Sequence, residues 1–159
     1  MKKYLPQFVY GSIDGTVTTF AIVASVSGAS LPTVVILILG IANVLADGFS
    51  MASSNYLSER SKPGSDKIYS LKTSLVTFFS FSVVGFVPIL PYIFKFQMTD
   101  NNAFLISCIL TALSFSLIGF IKGHIVKESK FYSALGTLFI GGLAATISYY
   151  VGFFVKSLM

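Results

Sequence analysis

Five stretches of the chain are each long and apolar enough to cross a lipid bilayer. They cover residues 9–27, 31–57, 70–94, 103–125 and 133–155, and a spanning helix needs about 20 mostly apolar residues. A helix satisfies its backbone hydrogen bonds within one segment, as the hydrocarbon region requires. The sequence therefore predicts an all-α integral membrane protein with five transmembrane helices, forming one transmembrane domain over residues 1–159.

Composition supports this class and excludes others. Hydrophobic residues make up 54% of the chain and charged residues 11%, whereas charged residues are about 25% of a typical soluble domain. The net charge of +5 comes from residues scattered between apolar stretches, which is typical of membrane topology and not of nucleic-acid binding. The single cysteine, Cys108, excludes an intrachain disulfide and a cysteine-based metal site.

The distribution of basic residues predicts the orientation in the membrane. They cluster before the first stretch, after the second and after the fourth: Lys2, Lys3, Arg60, Lys62, Lys67, Lys122, Lys127 and Lys130. Because cytoplasmic loops are enriched in lysine and arginine, we expect a cytoplasmic N-terminus and a C-terminus on the far side.

Two acidic residues, Asp14 and Asp47, lie within apolar stretches. A charged carboxylate at the centre of a lone helix costs about 2.5–3.5 kcal/mol on insertion scales. Such a group needs a partner, a hydrated cavity, a bound cation or a proton. No lysine or arginine lies deep in any stretch, so protons and cations are the partners we expect.

Asp47 belongs to a stripe of metal-binding side chains in the second stretch. Asn43, Asp47 and Met51 recur every four residues, and each step turns a helix by only about 40°. Their amide oxygen, carboxylate and thioether suit Fe²⁺, and less distinctively Mn²⁺, Co²⁺ or Zn²⁺. Met51 alone is also typical of packing, and Asn43 of hydrogen bonds between helices. Asn55 and Glu59 continue the stripe, so a cation could meet Glu59 first and Asp47 deeper.

Two segments carry a family resemblance. SIDGTVTTFAIVASVSGAS and ILGIANVLADGFSMASSNYLSERS, followed late in the chain by SALGTLFIGGLAATISYYVG, resemble the vacuolar iron transporter family, which includes nodulin-like proteins. The resemblance implies a five-span homodimer with a metal path between subunits, exporting Fe²⁺ and often Mn²⁺ from the cytosol coupled to proton uptake. It also implies that Asp14 and Met51 are metal ligands.

The chain departs from the iron-transporting vacuolar members in two ways. Those members carry a glutamate where this chain has Asn43, and here an acid lies one turn further on, at Asp47. They also insert a glutamate-rich metal-binding domain after the second span, where this chain has only SERSKPGSDK. The chain therefore resembles a compact, bacterial-type member, and we expect it in a bacterial plasma membrane, with a vacuolar or other organelle membrane as the alternative.

We predict a transporter, not an enzyme, with no permanently bound cofactor and with divalent metal ions and protons as substrates. Two copies are expected to meet along the first span, with Gly11 and Gly15 allowing close approach and Thr18 lining the route. The predicted metal residues are Asp14, Asn43, Asp47 and Met51, with Thr18, Asn55 and Glu59 along the path or at its entrance. Two alternatives are a structural or assembly membrane protein without transport, and an intramembrane hydrolase using Asp14 and Asp47.

Overall fold

The computed structural model describes residues 2–94 and 99–158. Its helices are α1 (Leu5–Gly28), α2 (Thr33–Arg60), α3 (Lys67–Gly85), α4 (Leu90–Ile93), α5 (Asp100–Val126) and α6 (Lys130–Leu158). Short 3₁₀ turns precede α1 and join α3 to α4. Five segments are long and apolar enough to span a membrane, namely α1, α2, Lys67–Ile93, α5 and α6. The prediction of an all-α protein with five spans is confirmed; the orientation of its termini stays a prediction.

The third span is interrupted where its prolines lie, as predicted. α3 ends at Gly85, a 3₁₀ turn covers Val87–Ile89, and the four-residue α4 completes the span. Proline has no backbone N–H and clashes with the preceding turn, so Pro88 and Pro91 prevent a continuous helix. The buried Ser107 hydroxyl of α5 donates a hydrogen bond of 2.6 Å to the Pro88 carbonyl, which satisfies a backbone group inside the membrane.

α1 packs against α2, α3, α5 and α6, and its glycines decide how close α3 can come. A Cβ on Gly11 would lie 2.7 Å from the Thr77 carbonyl oxygen, and one on Gly15 would collide with the Phe81 carbonyl. Both glycines are buried. They therefore serve contact with α3 of the same chain, and the prediction that they admit a second copy is wrong.

Candidate metal site on α1 and α2

One face of α2 is turned into the helix bundle, and the predicted stripe lies beside it. The buried residues of α2 recur every four positions: Ile36, Gly40, Val44, Gly48 and Ala52. The stripe of Asn43, Asp47 and Met51 is offset from them by one residue, or about 100° around the helix. Asn43 and Met51 are half-buried, while Asp47 is exposed on the surface of the single chain. The stripe thus borders an exposed side of α2 around Asp47, which is called the open face below.

Asp47 lies at the middle of α2, about 20 Å from either end at the helical rise of 1.5 Å per residue. This is the depth at which a carboxylate facing lipid is least stable. The exposed position of Asp47 in one chain therefore requires something to cover or neutralise it.

Asn43 fixes α2 to α1. Its Nδ2 donates hydrogen bonds to Thr18 Oγ1 at 3.2 Å and to Thr19 Oγ1 at 3.3 Å. Thr18 in turn donates to the backbone carbonyl of Asp14 at 2.8 Å. Asn43 therefore forms hydrogen bonds between helices, the alternative given for it above. Its amide oxygen remains the side-chain atom that can bind a cation. Thr18 is half-buried beside it, whereas Thr19 is fully buried.

Asp14 lies on the same open face and is half-buried. Its backbone carbonyl accepts the hydrogen bond of Thr18, whose hydroxyl oxygen in turn accepts from Asn43 of the α2 stripe. Asp14 also lines a groove of about 590 Å³, whose α1 wall includes Tyr10 and Val17 and whose other wall includes Lys122 of α5 and Ile140 of α6. Asp14 thus lies beside a largely apolar groove between α1, α5 and α6.

Lys122 was not anticipated as a neighbour of this groove, because it lies near the end of its span. No ion pair joins it to Asp14 within the described residues. In residues 2–94 and 99–158, neither Asp14 nor Asp47 forms a salt bridge with a lysine or arginine.

A single chain does not bring enough ligands together for a complete metal centre. In the described part of the chain, no three His, Cys, Asp or Glu residues form a cluster that could hold a metal ion. Asn43 is linked through Thr18 to the Asp14 backbone, and Asp47 and Met51 follow Asn43 along the α2 stripe. Because divalent ions of this class take about six ligands, further ligands have to come from outside the single chain.

The C-terminal end of the stripe, predicted to be cytoplasmic, differs from the simple entrance we predicted. Asn55 is half-buried, and Glu59 forms an ion pair of 2.6 Å with Lys62. Lys62 lies three residues after Glu59, a spacing at which helical side chains meet. Sequence analysis missed this partner, although the spacing was a signal that could have found it.

Comparison with known proteins gives one family. The model of the VIT family matches residues 5–67 and 62–153. Similar proteins include the vacuolar iron transporter of Toxoplasma gondii, 25% identical over 94% of this chain and 73% of that protein. Vacuolar iron transporter 1 of Oryza sativa subsp. japonica is 25% identical over 89% of this chain and 81% of its own length. Membrane protein of ER body 2 of Arabidopsis thaliana is 31% identical over 80% of this chain and 25% of that protein.

The match with the family model is in two parts, which overlap at the α2–α3 loop. The alignment with the Toxoplasma gondii protein is 221 positions long, although this chain has 159 residues. That relative therefore contains residues that this chain lacks. The two parts of the family match meet at residues 62–67, where the chain has a short polar loop.

Proposed function

Since the chain belongs to the VIT family, we propose that it exports Fe²⁺ and Mn²⁺ from the cytosol in exchange for protons. Its similar proteins include several named as transporters of iron, and the chain is a membrane transporter and not an enzyme. The observation that supports the proposal is the hydrogen-bonded link from Asn43 of the α2 stripe through Thr18 to the Asp14 backbone of α1. Carboxylates at this depth are characteristic of ion and proton pathways.

We propose that a second copy covers this face. An uncovered Asp47 would cost about 2.5–3.5 kcal/mol as a charged group at the centre of a helix. Pairing two open faces would remove it from lipid and supply Asp14, Asp47 and Met51 twice. Because Gly11 and Gly15 are already used against α3, contact between copies would involve the exposed side of α1 near Tyr10 and the exposed side of α2.

The donor set favours a divalent transition metal. Carboxylate and amide oxygens from Asp14, Asp47 and Asn43 suit hard ions such as Mn²⁺. The thioether of Met51 adds a softer donor, which favours Fe²⁺ over Mg²⁺ or Ca²⁺. We propose these four residues of each copy as the metal ligands, with Thr18 holding Asn43 in position.

Proton exchange follows from the same carboxylates. A carboxylate has to be deprotonated to bind metal, so metal binding releases protons. Protons arriving from a more acidic far side would then compete for Asp14 and Asp47 and weaken metal binding. Metal ions and protons thus neutralise the two carboxylates in turn. This exchange couples metal flux in one direction to proton flux in the other.

The test is metal uptake by proteoliposomes under an imposed pH gradient, measured for Fe²⁺, Mn²⁺, Co²⁺ and Zn²⁺ with simultaneous recording of proton movement. We expect Asp14→Asn and Asp47→Asn each to abolish uptake. Asp66→Asn is the matched control, because Asp66 caps α3 outside the span and asparagine caps a helix equally well.

Unchanged uptake in Asp14→Asn and Asp47→Asn would refute the pathway. Metal flux without proton movement would show that the protein acts as a channel and not as a metal/proton exchanger. Loss of folding in Asp14→Asn, instead of selective loss of flux, would support the structural or assembly role.

A further inference from the structure

The cytoplasmic end of α2 has an acid that is sheltered from solvent and paired with a flexible cation. The Glu59 side chain is 11% exposed, whereas that of Lys62 is 61% exposed. The distance between Glu59 Oε1 and Lys62 Nζ is 2.6 Å, so the two side chains form an ion pair. Lys62 belongs to the loop over residues 61–66, so its side chain can leave Glu59 for water without disturbing α2.

Asn55 lies one helical turn before Glu59 on the same stripe. Its Oδ1 atom is inaccessible to solvent and accepts no hydrogen bond from the described residues. A buried acceptor without a donor is destabilising, and each such group calls for an explanation. A cation held between Asn55 and Glu59 would supply the missing interaction, because residues four apart on a helix have side chains about 5–6 Å apart.

On these observations we propose that Asn55 and Glu59 form a cytosolic site for a hard divalent cation, and that the Lys62 ammonium occupies this site as a tethered competitor when metal is absent. The proposal rests on the transport function proposed above, since it assigns the regulation of metal entrance to that path. The ligands are an amide oxygen and a carboxylate, which suit Mn²⁺ and Fe²⁺.

The position of Lys62 gives this competition a consequence for transport. A metal ion approaching from the cytosol has to displace the ammonium from Glu59 before it moves deeper along the stripe. Lys62 thus raises the metal concentration needed for half-maximal transport and leaves the maximal rate unchanged. The short loop after α2 would then set a threshold for cytosolic metal.

The first experiment measures Mn²⁺ binding by electron paramagnetic resonance on the full chain in detergent, in an Asp14→Asn/Asp47→Asn background that removes the deeper site. Lys62→Gln should tighten Mn²⁺ binding about two- to fivefold, the range that exposed ion pairs support. Lys67→Gln removes the same charge from the same region without touching Glu59, and we expect it to leave the affinity unchanged.

Glu59→Gln should abolish this binding, and adding Lys62→Gln to it should change nothing further. Equal effects of Lys62→Gln and Lys67→Gln would show a general charge effect and overturn the proposal. Mn²⁺ binding that persists when Glu59→Gln is added to the Asp14→Asn/Asp47→Asn background would overturn it as well.

The second experiment measures the KM and kcat of Mn²⁺ uptake in proteoliposomes made from the full chain with Asp14 and Asp47 intact. We expect Lys62→Gln to lower the KM about two- to fivefold at constant kcat. A changed kcat at constant KM would overturn the competitive role. Tighter Mn²⁺ binding in detergent by a chain that transports no metal would uphold the cytosolic site and refute the proposed function, so the two failures are distinguishable.

Discussion

Gly15→Ala tests the packing of α1 against α3, which holds the Asp14-bearing helix in place. A Cβ on Gly15 would lie 3.0 Å from both the carbonyl carbon and the Cα of Phe81, and closer still to its carbonyl oxygen. Carbon atoms pack at about 3.5–4.0 Å, so α1 and α3 would have to separate by about 0.5–1 Å. No side-chain rotation can relieve the clash, because the atoms met belong to the α3 backbone.

The expected magnitude follows from two opposing effects. Overpacking a tight interface costs about 1–3 kcal/mol, while replacing glycine by alanine in a helix gains up to about 1 kcal/mol. Gly142 of α6 is the matched control, since a Cβ there would meet nothing within 4 Å. The helix gain is common to both variants, so the difference between their free energies of unfolding isolates the packing cost, about 1–3 kcal/mol.

The assay is equilibrium unfolding in mixed micelles, followed by loss of helical circular dichroism, with the oligomeric state measured in parallel by light scattering. Gly15→Ala should unfold more readily than Gly142→Ala at every protein concentration. Equal stability of the two variants would refute the packing argument. A shift in the monomer–dimer equilibrium at unchanged stability would instead place Gly15 at the contact between copies.

Three further predictions concern the open face. Met51→Leu keeps the side-chain volume but removes the softer donor, so Fe²⁺ uptake should fall more than Mn²⁺ uptake in proteoliposomes; equal losses would exclude a thioether ligand. Asn43→Leu removes the hydrogen bonds to Thr18 and Thr19 and should lower the free energy of unfolding in micelles by about 1 kcal/mol, at roughly 0.6 kcal/mol per bond; an unchanged value would mean that these bonds are replaced elsewhere. Acidification should weaken Mn²⁺ binding to the Glu59→Gln variant, because protons compete for Asp14 and its neighbouring acid; binding independent of pH would argue against carboxylate ligands.

The sequence predicted the features that depend on local chemistry. Five apolar stretches became five spanning helices, because a segment surrounded by lipid has to satisfy its backbone within itself. Pro88 and Pro91 interrupt the third span for an equally local reason, the missing N–H and the ring clash. The four-residue spacing of Asn43, Asp47 and Met51 likewise placed them on one stripe once α2 formed.

Two features, the Gly11–Gly15 pair and Glu59, show where local patterns are insufficient. Glycine spacing permits close approach of some helix, but it does not identify the neighbour, and Gly11 and Gly15 proved to face α3 of the same chain. For Glu59, the sequence indicated a metal entrance. The spacing to Lys62 permitted an ion pair, and the folded chain showed that the pair forms and that Glu59 is sheltered from solvent.

The sequence by itself determined which segments enter the bilayer and which side chains share a helical face, because hydropathy and the 3.6-residue repeat act within each segment. Only the tertiary structure decided which faces are covered. Packing of α1 against α2, α3, α5 and α6 linked Asn43 through Thr18 to the Asp14 backbone and left Asp47 exposed. That choice depends on shape complementarity between segments distant in sequence, and no single segment encodes it.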